Sequence, residues 1–331
     1  FIWLVQSHNR WFYWKDYLKK KIEINQQELR ALQYDFSDFD NGKEYIDPSH
    51  LYTFDLDIFG EHSLFQYINT STPIGKQRLA NWFNAHLEEK EAIEQRQEAI
   101  RELSSELEFR QQFRLLGLLY KGKPSDTSEI KEWVNSPSDY RKHAFLRILP
   151  TAVGIINLLC IGATILGFLP ASISGIVFAC FVVFSFIFSK GITKIQATYG
   201  EKLQILSTYA DQILITEKKE MHSPALQQLK AELTSQNQTA SQSVHRLAKL
   251  MNALDQRGNL LMSTILNGLL FWELRQVMQI EKWKEAHSAD LPRWIEAIGA
   301  IDAYCSLATF SYNHPDYIYP TIAAQSFHLQ A

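Results

Sequence analysis

Two long apolar runs in the middle of the chain constrain its fold more than any other feature. Residues 148–169 and 171–189 contain no charged side chain, and Pro170 separates them. Each run approaches the roughly 20 apolar residues that a helix needs to cross the hydrocarbon core of a bilayer. The sequence therefore predicts a hydrophobic, transmembrane helical hairpin over 148–189.

Basic residues flank this hairpin and are absent from its turn. Short loops rich in Lys and Arg stay on the cytoplasmic side, so both ends are expected in the cytoplasm and the turn outside. The alternative is a hairpin buried in a soluble core, but a helix that is apolar on all faces then needs protein on all faces. The flanking basic residues are Arg141, Lys142, Arg147, Lys190 and Lys194.

The remainder of the chain indicates helix almost throughout, which predicts an all-α fold. No run alternates apolar and polar residues between turn signals, as a strand would. Residues 43–59 form the least helical part, with Pro48 and several aromatic residues. The predicted helical stretches are 12–34, 87–116, most of 192–219, 224–256, 259–287 and 291–313.

These patterns divide the chain into five parts. The opening FIWLV, followed by basic residues, is typical of the exit of a preceding membrane helix, and both ends of the sequence look cut. The predicted parts are an N-terminal helix 1–34, an irregular linker 35–60, a first core segment 61–147, the hydrophobic hairpin 148–189, and a second core segment 190–331 with long helices.

Composition and spacing argue against several kinds of site. A net charge of −3 is unlike a strongly basic nucleic-acid-binding protein, and three scattered cysteines do not form a disulfide framework. The ten histidines lack metal-ligand spacing, so we expect no metal site, and no nucleophile and base stand at a usable spacing for an enzyme. The acidic stretch 35–45 is predicted to be a solvated turn.

Gly75-Lys76 resembles the centre of a phosphate-binding P-loop, but the spacing around it does not fit. A P-loop needs a glycine five residues before this pair and Ser or Thr after it, whereas Thr70 and Gln77 occupy those positions. The local sequence instead predicts the start of a helix. Either Ser71 or Thr72 is a suitable N-cap, and Pro73 suits the first turn.

Residues 56–103 resemble the opening of the core domain of the MutS family of mismatch-repair ATPases. In that family a Gly-Ser-Leu start precedes a Thr-x-x-Gly-x-x-x-Leu-x-x-Trp run and then Ile-x-x-Arg. Here His62 replaces the family's first glycine, and His86-Leu87 replaces its Pro-Leu. The matching residues are Ser63, Leu64, Thr72, Gly75, Arg78, Leu79, Trp82, Ile93 and Arg96.

A second block, residues 295–322, resembles the end of the same core. There a helix carries Leu-Asp-x-x-x-Ser-Leu-Ala before Tyr-x-x-Pro. The matching residues are Asp302, Ser306, Leu307, Ala308, Tyr317 and Pro320. The resemblance implies a multi-helix core of elongated levers, and it suggests that Gly75 permits close helix packing.

The resemblance also implies a function. In the family an ATPase domain follows the second block, so ATP and magnesium are expected only in that domain and neither catalysis nor a cofactor in these residues. The core would couple nucleotide state to DNA or another partner, in a full-length protein that pairs as a homodimer. The family's DNA-gripping strands are not evident, and the hydrophobic hairpin stands in their place.

Two functions remain open from the sequence. The first is the non-catalytic core of a divergent, membrane-associated MutS-like ATPase at the cytoplasmic face of the inner membrane, acting on DNA in mismatched or branched form. The second is a membrane-tethered helical scaffold that binds proteins and has lost DNA recognition. The net charge of −3 and the missing strands favour the second.

Overall fold

The computed structural model describes residues 2–119, 125–234, 239–255 and 260–322. Within these ranges the secondary structure is helical, with one isolated antiparallel bridge between Thr234 and Thr239 and no strand. The all-α prediction is confirmed. The helices are α1 (Ile2–Ala31), a short 3-10 helix (Lys43–Tyr45), α2 (Leu64–Ile68), α3 (Pro73–Asn84), α4 (Lys90–Ser104), α5 (Leu107–Leu119), α6 (Ser125–Asn135), α7 (Ala144–Ile165), α8 (Ala171–Lys218), α9 (Pro224–Glu232), α10 (Ala240–Asp255), α11 (Leu260–Leu270), α12 (Trp272–His287) and α13 (Asp290–Asn313).

Three stretches that the sequence predicts as continuous helix are interrupted. Residues 87–116 divide into α4 and α5, and 224–256 divide into α9 and α10. Residues 259–287 break at Phe271, whose backbone is left-handed with φ of 48°. None of these breaks coincides with a proline, and a non-glycine residue in the left-handed region gives no composition signal. At Phe271 the buried ring packs against α8, so tertiary packing sets that boundary.

The chain folds as two compact units, and each is built from segments that are distant in sequence. The first comprises 1–124, 211–240 and 293–331, and the second comprises 125–210 and 241–292. These units group segments that the five-part division keeps separate, because contacts between distant segments define them. Both apolar runs fall in the second unit, and both MutS-like blocks fall mainly in the first.

In the first unit, α1 packs on α5, and α4 packs on α5 and α9. The predicted linker 35–60 is irregular apart from its 3-10 helix, yet it contributes Phe39, Ile58 and Phe59 to the buried interior. Ile58 and Phe59 join a core cluster with Phe65 of α2 and Leu79 of α3. The side chains of residues 2–6, including most of the FIWLV opening, lie outside the described residues.

In the second unit, the hydrophobic hairpin consists of α7 and the first part of α8, joined by a turn at Gly167 with φ of 78°. Both α11 and α12 pack against α7. Glu281 of α12 accepts backbone hydrogen bonds from Asp139, Tyr140 and Arg141, which fixes the chain just before α7.

Two helical segments are long and apolar enough to cross a membrane by length and composition. The most apolar 18-residue window of Ala144–Ile165 has a mean hydropathy of 2.0, and 22% of its residues are buried; that of Ala171–Ser189 has a mean hydropathy of 2.4, and none of its residues is fully buried. A helix in a soluble core would instead be mostly covered by protein. These two segments agree with the helical hairpin that the sequence predicts, and its membrane insertion stays a prediction.

Candidate functional site

The two MutS-like blocks meet where α13 passes the first turn of α3. We call this contact the signature junction and define it by Thr70, Thr72 and Gly75 of the first block and Asp302 and Ser306 of the second. About 230 residues separate its two sides along the chain. Four of its five members are among the family-signature residues predicted from the sequence, and Thr70 is not.

Asp302 is the centre of the signature junction. Its Oδ2 accepts hydrogen bonds from the Thr72 backbone N–H (2.8 Å), the Thr72 hydroxyl (2.6 Å) and the Gly75 backbone N–H (3.0 Å). These backbone groups belong to the start of α3, where helical N–H groups lack the usual i−4 carbonyl partner. The Gly75 N–H is shared with the Thr72 carbonyl at 3.1 Å. The sequence predicted Ser71 or Thr72 as the cap; Thr72 is the N-cap residue, but the capping oxygen comes from Asp302.

The Asp302 carboxyl group is 1% exposed, so its ionised form loses nearly all hydration. Burial raises its pKa to about 7, although the hydrogen bonds from Thr72 and Gly75 and the nearby Arg114 act in the opposite direction. All three of these hydrogen bonds are internal to the protein. Asp302 therefore joins two helices and does not face a substrate.

Gly75 permits the close approach of α13 to α3. A Cβ atom at position 75 would lie 2.4 Å from Cβ of Asp302, a distance that real Cβ atoms do not show. On the other helix, a Cβ at Gly299 would lie 3.0 Å from the carbonyl oxygen of Ile74. Small residues thus occur on both sides of the contact.

Ser306 forms the second polar link of the signature junction, one turn of α13 beyond Asp302. Its hydroxyl accepts a hydrogen bond from the Thr70 backbone N–H at 2.9 Å and donates to the Ile68 carbonyl at 2.7 Å. Ser306 is buried, and these bonds pair a carbonyl at the end of α2 and an N–H of the α2–α3 connection.

Trp82 and Arg96, both predicted signature residues, lie together against Tyr304 of α13. The Trp82 and Tyr304 rings are 4.7 Å apart, and the Arg96 guanidinium lies 4.3 Å from the Trp82 ring. Burial lowers the pKa of Arg96, and the contact with Tyr304 acts in the opposite direction. This stacked group extends the contact between the two blocks along α13.

The other predicted residues have simpler positions. Ser63 caps α2 by accepting from the Gln66 N–H, and Arg78 pairs with Glu296 at 2.8 Å. Gln97 donates to the Pro320 carbonyl at 2.9 Å. Leu79 and Ala308 are fully buried, Leu307 and Ile93 are partly buried, and Leu64 and Tyr317 are exposed.

Lys76 is a contributor that the sequence reading did not identify. Its ammonium group pairs with Asp40 at 2.6 Å and with Glu44. Burial lowers the pKa of Lys76, but the hydrogen bonds to Asp40 and Glu44 more than offset this and raise it. Asp40 and Glu44 lie in the acidic stretch predicted as a solvated turn, so part of that turn neutralises a buried cation instead. In the sequence, Lys76 stood out only because it follows Gly75.

The geometry around Gly75 and Lys76 leaves little with which to bind a phosphate. The Gly75 N–H donates to Asp302, and Lys76 is held by two carboxylates. Among the described residues, no three His, Cys, Asp or Glu side chains are placed to hold a metal ion. The site is a packing and hydrogen-bonding junction between helices.

The described residues form an all-helical core in which this junction joins the two blocks. Residues 49–308 match the family model described as MutS domain III. The chain belongs to the MutS domain III family. No curated protein and no solved structure matches the chain.

Proposed function

We propose that this chain is the core and lever region of a MutS-like ATPase that is anchored in a membrane through residues 148–189. The single observation that carries the membrane part is the exposure of the two uncharged runs 148–169 and 171–189. Apolar side chains face outward along both, including Leu159 and Ile165 of α7 and Val183 and Ile187 of α8. An exposed apolar surface this extensive is typical of a protein or lipid contact.

The charges beside the hairpin support a defined orientation. Arg141, Lys142 and Arg147 stand at the start of α7, while the turn between the helices has no basic residue. This asymmetry supports an orientation with both ends in the cytoplasm and the turn on the opposite side. The flanking Lys190 and Lys194 have side chains outside the described residues. The proposed location is the cytoplasmic face of the inner membrane.

The signature junction supports the lever part of the proposal. It fixes the first turn of α3 to α13, and in the family an ATPase domain follows the segment after α13. A displacement of α13 by a nucleotide-dependent domain would therefore carry α3 with it, because Asp302 and Ser306 tie the two segments together. ATP and magnesium belong to that ATPase domain, and the full-length protein is proposed to be a homodimer.

Membrane fractionation tests this proposal. The full-length protein is expressed in bacteria, its membranes are washed with carbonate, and the pellet is compared with that of a variant lacking 148–189. We expect retention of the intact protein in the pellet and release of the variant. Release of both into the soluble fraction would contradict membrane anchoring and make the hairpin a contact for protein.

The partner at the far end of the levers is proposed to be DNA, with a protein scaffold as the second candidate. The net charge of −3 and the absence of strands from the described residues favour the scaffold. Phosphate contacts release counterions, so true DNA binding weakens steeply as salt rises. A titration of the full-length protein with mismatched and branched DNA at several salt concentrations decides between them: a steep slope supports DNA, and no binding at low salt supports the scaffold.

A further inference from the structure

A third apolar helix, α11, lies against the hairpin. Its sequence, LLMSTILNGLL, contains no charged residue, and Leu261, Met262 and Ile265 are exposed. Eleven residues of helix span about 16 Å, roughly half of a 30 Å hydrocarbon core. In the sequence, Arg257 and Glu273 limit the uncharged stretch to 258–272, which is too short to cross a bilayer but long enough to enter one.

Its contacts place the end of α11 at the middle of the hairpin. A Cβ at Gly268 would lie 2.4 Å from Phe178 and 2.5 Å from Val182, both near the centre of the apolar run 171–189. On α7, Asn157 donates to the carbonyls of Gly268 and Leu269 at 3.0 and 3.1 Å. Asn157 is about 14 Å along the helix from the start of the first apolar run.

The chain reverses at Phe271, and polar side chains satisfy the backbone groups that this break exposes. Asn157 pairs with two of the last carbonyls of α11, and the Asn267 side chain accepts from the Glu273 N–H at 3.0 Å. Non-helical backbone at membrane depth is tolerated only where protein groups satisfy it in this way.

The ring of Phe271, at the break between α11 and α12, packs against α8. It is 1% exposed and lies 5.9 Å from the Phe184 ring and 6.1 Å from the Phe181 ring, both on α8. Its left-handed backbone is thus fixed by packing against the hairpin.

We propose that α11 is a re-entrant, half-span membrane helix whose exposed face contacts lipid acyl chains. The membrane-embedded part then has the two helices of the hairpin, α11 and the first turns of α12. Glu273 in the first turn of α12 is buried and accepts a hydrogen bond from the Ser263 hydroxyl at 2.8 Å. Acyl chains fit this face because it is uncharged and adjoins the exposed apolar surface of the hairpin. This inference rests on the proposed function, since a hairpin outside the membrane would leave α11 outside as well.

Depth-dependent fluorescence quenching tests the inference on the full 331-residue chain in liposomes. Cys160, Cys180 and Cys305 are replaced by alanine, and an environment-sensitive fluorophore is attached at one new cysteine. The test variant is Ile265→Cys and the hairpin reference is Val183→Cys. Lys282→Cys, on the exposed face of α12, is the aqueous control. Lipids brominated along their acyl chains are the quencher.

We expect acyl-chain bromines to quench Ile265→Cys to the same extent as Val183→Cys and to leave Lys282→Cys unchanged. Quenching at Val183 with none at Ile265 would overturn the half-span helix while preserving the hairpin anchor. No quenching at either position would overturn the membrane proposal itself. A second variant, Leu261→Cys, repeats the test on the same helix in case labelling at Ile265 disturbs folding, and the same outcomes apply to it.

Discussion

The signature junction and the hydrophobic hairpin each contain a helical glycine, and the surroundings of these two glycines are opposite. A Cβ at Gly75 would collide with Asp302, whereas a Cβ at Gly162 would meet no atom within 4 Å. Asp302 is 1% exposed, and Phe168 at the hairpin turn is 82% exposed. In the signature junction, other residues of the chain fill the space around the glycine. The hairpin presents an apolar surface that, in our proposal, lipid covers.

Arginine substitutions in the hairpin should give the largest effect, a loss of membrane binding. Arginine near the centre of a membrane helix costs about 2.5 to 3.5 kcal/mol, so Ile176→Arg with Val183→Arg costs roughly 5 to 7 kcal/mol of insertion free energy. We expect the double variant to lose binding in a liposome flotation gradient. Ile318→Arg, at an exposed apolar position of the first unit, is the control and floats normally. Unchanged flotation of the double variant would contradict lipid contact.

Removing the Asp302 carboxylate gives the next largest effect. Asp302→Ala leaves the N–H and hydroxyl of Thr72 buried without an acceptor and leaves the Gly75 N–H with only its bond to the Thr72 carbonyl, which costs about 3 to 5 kcal/mol of folding free energy. Urea unfolding of the detergent-solubilised chain, followed by tryptophan fluorescence, measures it. Asp316→Ala, at an exposed site, serves as the control. A loss no larger than that of the control would show that Asp302 is not the cap.

The pH dependence of the free energy of unfolding should differ between the wild-type protein and the Asp302→Asn variant. The pKa of Asp302 rises from 3.8 to about 7 on folding, so the folded state holds a proton that the unfolded state releases in this range. Relative to Asp302→Asn, the wild-type protein should lose stability by about 1.4 kcal/mol per pH unit between 4 and 7. Below and above that window the difference should be constant. Urea unfolding of both proteins across this range measures it, and a constant difference throughout would contradict the burial of this carboxyl group.

Alanine substitutions at the two glycines should give the smallest changes in folding free energy, and these changes should differ between the two regions. Gly75→Ala forces α3 and α13 apart and should cost about 1 to 3 kcal/mol of folding free energy, because the contact has no room for a methyl group. Gly162→Ala meets open space in a helix and should be neutral or stabilising by up to about 1 kcal/mol. Thermal unfolding in liposomes measures both. Equal effects would show that the two sites are packed alike.

The sequence predicted the helical class, the hairpin and the family, because apolar runs and block motifs are local patterns. It did not predict that Asp302 would cap α3, since a cap across about 230 residues leaves no local signature. The breaks near Ser105 and at Phe271 were missed for a related reason. Both positions lie among helix-forming residues, and contacts with other segments end the helices there.

The sequence also underestimated the polar contacts of two segments. The acidic stretch 35–45 gave no sign that Asp40 would hold Lys76, because the pairing depends on a connection across 36 positions. Residues 259–287 were predicted as one helix, and nothing in the sequence indicated that Gly268 would contact Asn157. Long-range polar contacts of this kind require the tertiary structure.

Accessibility of the hairpin turn tests the central claim most directly. Cys160, Cys180 and Cys305 are replaced by alanine, and Phe168→Cys or Lys282→Cys is introduced into the full-length protein in bacterial inner membranes. A membrane-impermeant maleimide is then applied from either side. The account predicts that Phe168→Cys reacts only from the periplasmic side and Lys282→Cys only from the cytoplasmic side. Reaction of both positions from the cytoplasmic side alone would contradict a membrane-spanning hairpin.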